Sequence, residues 1–194
     1  RILYCFIMEF LNKNDLVWYV SYGSNMLCER FMCYINGGKF DDKGKNHKPC
    51  KDTTPPQAKM NYILPYNMYY ANKSKAWDNK GVSFLDTSID NGKAYGVAYL
   101  ITKKQFDHIF EEENGGVKPG PDSTWYNKRH EIATYDNIPV MTITNRSVIK
   151  KNSPSERYLN VLYKGLKENY SSLSDDEIAE YLNTRNDTAY EQDL

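Results

Sequence analysis

Leu16-Val-Trp-Tyr-Val-Ser21 runs directly into Tyr22-Gly-Ser-Asn-Met26, and this junction decides the fold. The first six residues are largely β-branched and aromatic, the composition of a buried strand. The strand breaks at Gly23-Ser24-Asn25. Apolar residues at 27, 31 and 35, with 28 and 32 beside them, then predict a helix over 26–35. Asn25 is placed to cap that helix, and Glu29 suits its first turn. Such a junction also suits chemistry, because glycine permits a ligand to approach the backbone closely. Free N–H groups and the positive end of the helix dipole would hold a carboxylate or an oxyanion. A tight turn with a cap accounts for the same five residues without any ligand.

Working outward, Asn36 to Lys59 is polar and broken by Gly37-Gly38, Gly44, Pro49 and Pro55-Pro56, which predicts a long loop. Its lysines 43, 45, 48 and 51 are offset by Asp41, Asp42 and Asp52, as in a solvated loop. Tyr62, Leu64, Tyr66, Met68 and Tyr70 alternate as in one strand, with Pro65 marking an edge or a bulge. Gly81–Asp86 and Ala94–Ile101 read as strands joined through a turn at Asp90-Asn91-Gly92. A helix follows from Thr102, and 128–135 with 140–144 reads as a hairpin around Asp136-Asn137-Ile138-Pro139.

The C-terminal third is helical in pattern. Ser153-Pro-Ser-Glu156 has the form of a capping box with Pro at the first helical position. Tyr158, Leu159, Leu162, Tyr163 and Leu166 then make one apolar stripe. Ser174-Asp-Asp-Glu177 repeats the start signal ahead of Ile178, Tyr181 and Leu182, and residues 186–194 are expected to fray. Without an internal repeat or low-complexity linker, the expectation is a single α+β domain over 1–194. Its core would be 16–149, a mainly antiparallel sheet or small barrel, with helices of 150–185 packed on it.

Composition excludes several classes. Twenty-five basic and 25 acidic residues give zero net charge in 194 residues, where a duplex-binding protein needs a basic excess. No nucleic-acid partner is expected. A mean hydropathy of −0.73 and the lack of an apolar run of about 20 residues argue against a membrane-spanning helix. The longest apolar stretch, Ile2–Met8, has no small-residue cleavage pattern after it and reads as a strand or an upstream extension, with Met8 a candidate start. Cys5, Cys28, Cys33 and Cys50 form no Cys-x-x-Cys pair, and His47, His108 and His130 are far apart, so no metal site is expected. Four cysteines are too sparse for a disulfide-stapled domain, which points to a reduced, cytoplasmic setting. Oligomeric state is not encoded legibly.

A second local rule bends at the helix from Thr102. Thr102 and Gln105 form a capping box, and Phe106, Ile109, Phe110 and residue 113 share one face. Residue 113 is Glu, where a Leu is expected; Glu111 and Glu112 fall toward the sides or solvent. A carboxylate near a helix C-terminus meets the negative end of the dipole, and burial disfavours its charge as well. Both effects raise its pKa, which suits a general acid or base. A solvated acidic helix end, stopped at Asn114-Gly115, is the plain alternative.

Together the two sites resemble the γ-glutamyl cyclotransferase-like superfamily. The resemblance rests on Tyr22-Gly-Ser-Asn-Met26 after an aromatic strand, Trp77 ahead of Gly81-Val82, Tyr95-Gly-Val-Ala-Tyr99, and Glu113 beyond them, in the same order over 17–143. The C-terminal helices resemble those of bacterial members. The resemblance implies a mixed small β-barrel with flanking helices, no metal or organic cofactor, and a small γ-glutamyl substrate. It further implies that Tyr22, Gly23, Ser24, Asn25 and Met26 bind the glutamyl group and that Glu113 is the general base. Met26 by itself reads as core. Trp77 and Tyr126 are candidate pocket residues, and Trp125-Tyr126 would close the pocket or fill a strand edge. Glu113-Asn114-Gly115-Gly116 departs from the usual Glu-Gly and permits Asn114 at the catalytic position; shared helical face selects Glu113. The loops 36–59 and 114–124 are enlarged and bear on the substrate.

The implied reaction is an intramolecular aminolysis: the substrate's α-amine attacks its own γ-carbonyl, giving 5-oxoproline and an amine. A non-catalytic small-molecule-binding protein, or another acyl- or amine-transfer enzyme on the same scaffold, are the alternatives, since fold does not fix function.

Overall fold

The computed structural model describes residues 12–187. The apolar stretch 2–8, Cys5 and residues 188–194 lie outside them. Seven strands and four α-helices are found among the described residues. They run β1 (Leu16–Ser21), α1 (Cys28–Asn36), β2 (Ala58–Leu64), β3 (Asn67–Ser74), β4 (Lys80–Asp86), β5 (Ala94–Thr102), α2 (Lys103–Glu113), β6 (Lys128–Tyr135), β7 (Ile138–Thr144), α3 (Glu156–Asn169) and α4 (Asp175–Asn183).

β1 is the middle strand of a five-stranded sheet ordered β2-β5-β1-β7-β6. It pairs antiparallel with β5, Leu16 opposite Thr102, and parallel with β7, Trp18 beside Val140. All six of its residues are buried, as a strand covered on both faces requires. β3 and β4 form a separate antiparallel ribbon, Asn67 opposite Asp86. The architecture is α+β as expected, but the sheets stay open: β2 and β6 are edges, so no barrel closes.

Three local expectations are corrected. The alternating run 62–70 is two strands in two sheets, because Pro65 supplies no N–H for a continuous ladder and the chain turns there. β4 and β5, read as strands joined through a turn, lie in different sheets. Their connection folds back on that corner, where the Gly92 N–H donates to Pro65 O (3.2 Å) and a Cβ on Gly92 would come within 2.3 Å of Tyr66. α3 is capped by Ser155, whose hydroxyl accepts from Tyr158 N, and not by Ser153. The capping boxes of α2 and α4 form as read, with Thr102 and Ser174 as caps. The β6–β7 hairpin turns on Asp136 and Asn137, both at positive φ.

α3 seats directly on the turn after β1. Gly165 makes this possible, since a Cβ there would lie 2.9 Å from both Leu27 N and Met26 Cβ. Tyr170 Oη donates to Gly96 O (2.6 Å), and Tyr70 Oη to Leu182 O (2.9 Å). Asn186, expected in the frayed tail, accepts from Tyr70 N (2.8 Å) through its side chain. No helix among the described residues is long and apolar enough to cross a membrane.

Candidate active site

The turn after β1 is a single 3-10 turn, Ser24–Met26, and α1 starts only at Cys28 with Leu27 at its N-cap. Asn25 is therefore not the helix cap. Its side chain is buried and donates from Nδ2 to Glu113 Oε1 at 3.1 Å. Tyr99 Oη donates to the carbonyls of Asn25 (2.8 Å) and Met26 (3.2 Å), and Asn169 Nδ2 donates to Met26 O (3.0 Å). Tyr99 is not in the cavity wall, so these carbonyls face the core. The first N–H groups of a helical turn have no partner within it, which leaves those of Ser24 and Asn25 as donors.

Beside this turn lies a cavity of about 530 Å³. Tyr22, Gly23, Ser24, Asn25, Trp77, Glu113 and Tyr126 all line it, so the structure gathers these positions from across the chain. Met26 does not. It is fully buried under α3, and its placement at the site is corrected to the core. Tyr22 Oη donates to Ile143 O (2.6 Å), tying the turn to β7. Gly23 has an ordinary φ of −122°, so its lack of a side chain serves space: a Cβ would lie 3.0 Å from Tyr158 Oη and 3.3 Å from Ser83 Cβ. Tyr126 stacks on Phe84 and donates to Ser83 O (2.9 Å), while Trp77 meets Tyr158 edge-on.

Glu113 ends α2. Burial, the largest influence, pushes its carboxyl above the ordinary value. The Arg30 charge, hydrogen bonds from Tyr34 and Asn25, and Lys45 oppose this without cancelling it. Asn114 also lines the cavity, but its Nδ2 is spent on Phe110 O (2.8 Å) and Tyr126 O (2.9 Å). That makes it a clasp between α2 and the segment before β6.

Glu112 contradicts the expectation of a solvent-facing side chain. It is 5% exposed and accepts from Lys45 Nζ (3.1 Å) and His47 Nδ1 (3.2 Å), both from the loop 37–57. Burial pulls its carboxyl upward, but Lys45 and His47 outweigh that and hold it below the usual range. Burial, and then Arg30, push His47 down to about 4, so the contact is a neutral imidazole donating to a carboxylate. Lys45, read as one of several solvated lysines, thus pins the loop against α2 and faces the cavity.

Sequence reasoning also missed Arg30, Tyr34, Ser83 and Tyr158 in the wall. For Arg30 a signal existed. It lies on the same helical stripe as 27, 31 and 34, a charge at an apolar position, as with Glu113. Ser83 and Tyr158 carried none, since a small polar residue in a strand and a Tyr on an amphipathic helix are ordinary. Among the described residues no group of three or more His, Cys, Asp or Glu side chains is placed to hold a metal ion.

An uncharacterized protein from Homo sapiens has the same fold, with TM-score 0.58 and 18% identity over 86% of each chain. A γ-glutamyl cyclotransferase superposes with TM-score 0.57 at 17% identity, covering 93% of this chain and 94% of that one. The chain has the γ-glutamyl cyclotransferase fold. YkqA from Bacillus subtilis shares it, with TM-score 0.53 and 14% identity over 89% of this chain and 56% of YkqA. No family model matches the chain. By sequence the chain is 28% identical over 201 residues to histone deacetylase 5 of Arabidopsis thaliana. That match takes in 86% of this chain but spans only 30% of the plant protein's length. Within this fold, the turn after β1 and the end of α2 meet on one side of the cavity, where Asn25 bonds Glu113.

Proposed function

We propose that this chain is a γ-glutamyl cyclotransferase, releasing 5-oxoproline and an amine from a γ-glutamyl peptide or γ-glutamylamine. The observation that carries this reading is the meeting of Glu113 with the Tyr22–Asn25 turn on one cavity, through the 3.1 Å bond from Asn25. The fold shared with a γ-glutamyl cyclotransferase supports it.

The chemistry asks for a base, an oxyanion site and a folded substrate. Glu113 takes a proton from the substrate's α-ammonium, and the freed amine attacks the γ-carbonyl carbon. A C–N bond forms, and the turn's N–H groups hold the oxygen that becomes negative. The old amide C–N bond then breaks. In all, two protons leave the ammonium and both end on the departing amine, with Glu113 as carrier. Gathering the substrate into its ring-closing conformer supplies much of the remaining acceleration.

The burial that raises the Glu113 pKa also makes it a stronger base once ionised, at the expense of a smaller ionised fraction at low pH. Trp77, Trp125 and Tyr126 give the cavity apolar surface for the amine half of the substrate. The test is a panel of γ-glutamyl dipeptides and γ-glutamylamines assayed for 5-oxoproline. Release from at least one of them, abolished in Glu113→Gln, is the expected result. A panel without release would overturn the reading in favour of a binding protein.

A further inference from the structure

Arg30 is a buried cation on the cavity wall. Its side chain is 7% exposed, yet it forms no ion pair among the described residues. Nη2 donates to the Tyr34 hydroxyl at 3.3 Å, and Nη1 meets no partner. Burial disfavours its charge, but the nearby Tyr34 and Glu113 outweigh that and hold it charged, so it acts on Glu113 without an ion-pair contact. Its place beside Glu113 on the wall points to a task at the cavity.

The geometry supplies one. Arg30 and Tyr34 stand one turn apart on α1, and the guanidinium lies 4.9 Å from the centre of the phenol ring. The His47 ring lies 4.2 Å from the same ring, and Glu112 holds His47 in place. Tyr34 is thus braced by a cation and an imidazole, and it shares the cavity wall with Glu113, whose ionised form it favours. A hydroxyl that accepts from a guanidinium becomes a stronger donor, because successive hydrogen bonds polarise one another. We propose that Tyr34, backed by Arg30 and His47, is a positioning residue that orients the Glu113 carboxylate and favours its ionised form. The role rests on the reading of Glu113 as the general base.

Other charged or titratable groups bear on Glu113 from each neighbouring element. Tyr19 and Asn25 come from β1 and its turn, Lys45 from the long loop, Tyr126 from the segment before β6, and Tyr158 from α3. Burial keeps the phenols of Tyr19, Tyr34, Tyr126 and Tyr158 protonated, Tyr158 being pushed up to about 12. Arg30 and Lys45 are therefore the cations that act on it, and Tyr34, bonded to Arg30, stands on the same wall.

Removing a donor or a nearby cation disfavours the carboxylate, so its pKa must rise. Tyr34→Phe should move the acid limb of kcat/KM up by about one pH unit, and Arg30→Gln by about one to three. Arg30→Lys should restore part of the difference. At pH above the limb, each variant should approach the parent's rate. A residue with only a structural role would lower the rate uniformly and leave the limb in place, which would overturn the proposal.

The proposal also has a readout that needs no turnover. The Glu113 carboxyl carbon, assigned by its disappearance in Glu113→Gln, is titrated by NMR in the parent, Tyr34→Phe and Arg30→Lys. An upward displacement in Tyr34→Phe supports the proposal even if no γ-glutamyl compound is turned over, in which case the reading of function fails separately. An unmoved titration in both variants overturns the proposal and leaves the cyclotransferase reading standing on its own assay. Should Arg30→Gln fail to fold, Tyr34→Phe and Arg30→Lys decide the matter.

Discussion

Asn25 Nδ2 reaches Glu113 Oε1 at 3.1 Å, joining two residues 88 positions apart in the chain. This bond couples the turn after β1 to the end of α2, so the turn and the Glu113 carboxyl are built as one unit. Asn25 Oδ1 is buried without a partner, so the amide is oriented by what its nitrogen does.

Glu113→Gln keeps the size of the side chain but cannot carry a proton. Turnover should fall by roughly 10²- to 10⁴-fold with substrate binding largely kept. Glu111→Gln, on the exposed side of α2, should change little. Measuring 5-oxoproline release by both variants beside Asn114→Ala checks the assignment. A loss confined to Asn114→Ala would move the base to that position.

The same substitution has a stability signature. Burial raises the Glu113 pKa in the folded state, so folding binds a proton between the unfolded and folded values. The stability associated with that proton is fully present below the unfolded pKa and is lost as pH rises through the folded one. Glu113→Gln should therefore melt higher than the parent at pH 7, with the gain vanishing near pH 3. Thermal melts across that range provide the check, and an equal gain at all pH values would contradict it.

His47 has the opposite linkage. Its folded pKa of about 4 lies below the ordinary 6.5, so protonation opposes the folded state. Stability should drop as pH falls from about 6.5 toward 4, by up to about 3 kcal/mol. His47→Asn keeps a donor for Glu112 and should flatten that drop, as measured by urea unfolding at several pH values. Glu112→Gln, which leaves Lys45 without its carboxylate, should free the 37–57 loop and lower the melting temperature, unlike Glu111→Gln.

At Gly23 the expectation concerns space. Gly23→Ala would set a methyl 3.0 Å from Tyr158 Oη, so Tyr158 or the turn must shift by a few tenths of an ångström. Weaker binding of 5-oxoproline with a modest loss of stability is expected for Ala. Gly23→Val, which carries two more methyl groups into Ser83 and Tyr158, should destabilise by about 1–3 kcal/mol. Calorimetric titration and thermal melts separate the two effects.

Most elements were legible because their signals are local. The periodicity of α2, its Thr102 cap and the composition of β1 each act within a few residues, and all three appear as read. Glu113 stood out because it breaks the periodicity around it. What was hidden depends on contacts far along the chain. Asn25 looked like a helix cap, since Asn before an apolar-periodic run usually is one; the carboxylate that claims its side chain comes from α2. Glu112 looked solvated because nothing nearby in sequence announces that Lys45 and His47 will cover it. Pro65 was recognised as a disturbance, but whether it bends one strand or divides two depends on the partners, which lie in β5 and β4.

The parallel pairing of β1 with β7 has a consequence for how the protein is made. Thr142 Oγ1 donates to Val20 O across 122 residues, and Trp18 waits for Val140 before the sheet has its middle. A ribosome emits roughly 5–20 residues each second, so β1 is exposed for several seconds before its second neighbour exists. During that interval one of the most apolar strands of the chain has an open edge. Closing so long a loop is also slow, because its entropy is lost before the contacts reward it. Fragments ending before Thr144 should therefore be held by chaperones or aggregate, and the cavity can form only after the chain has passed through α3.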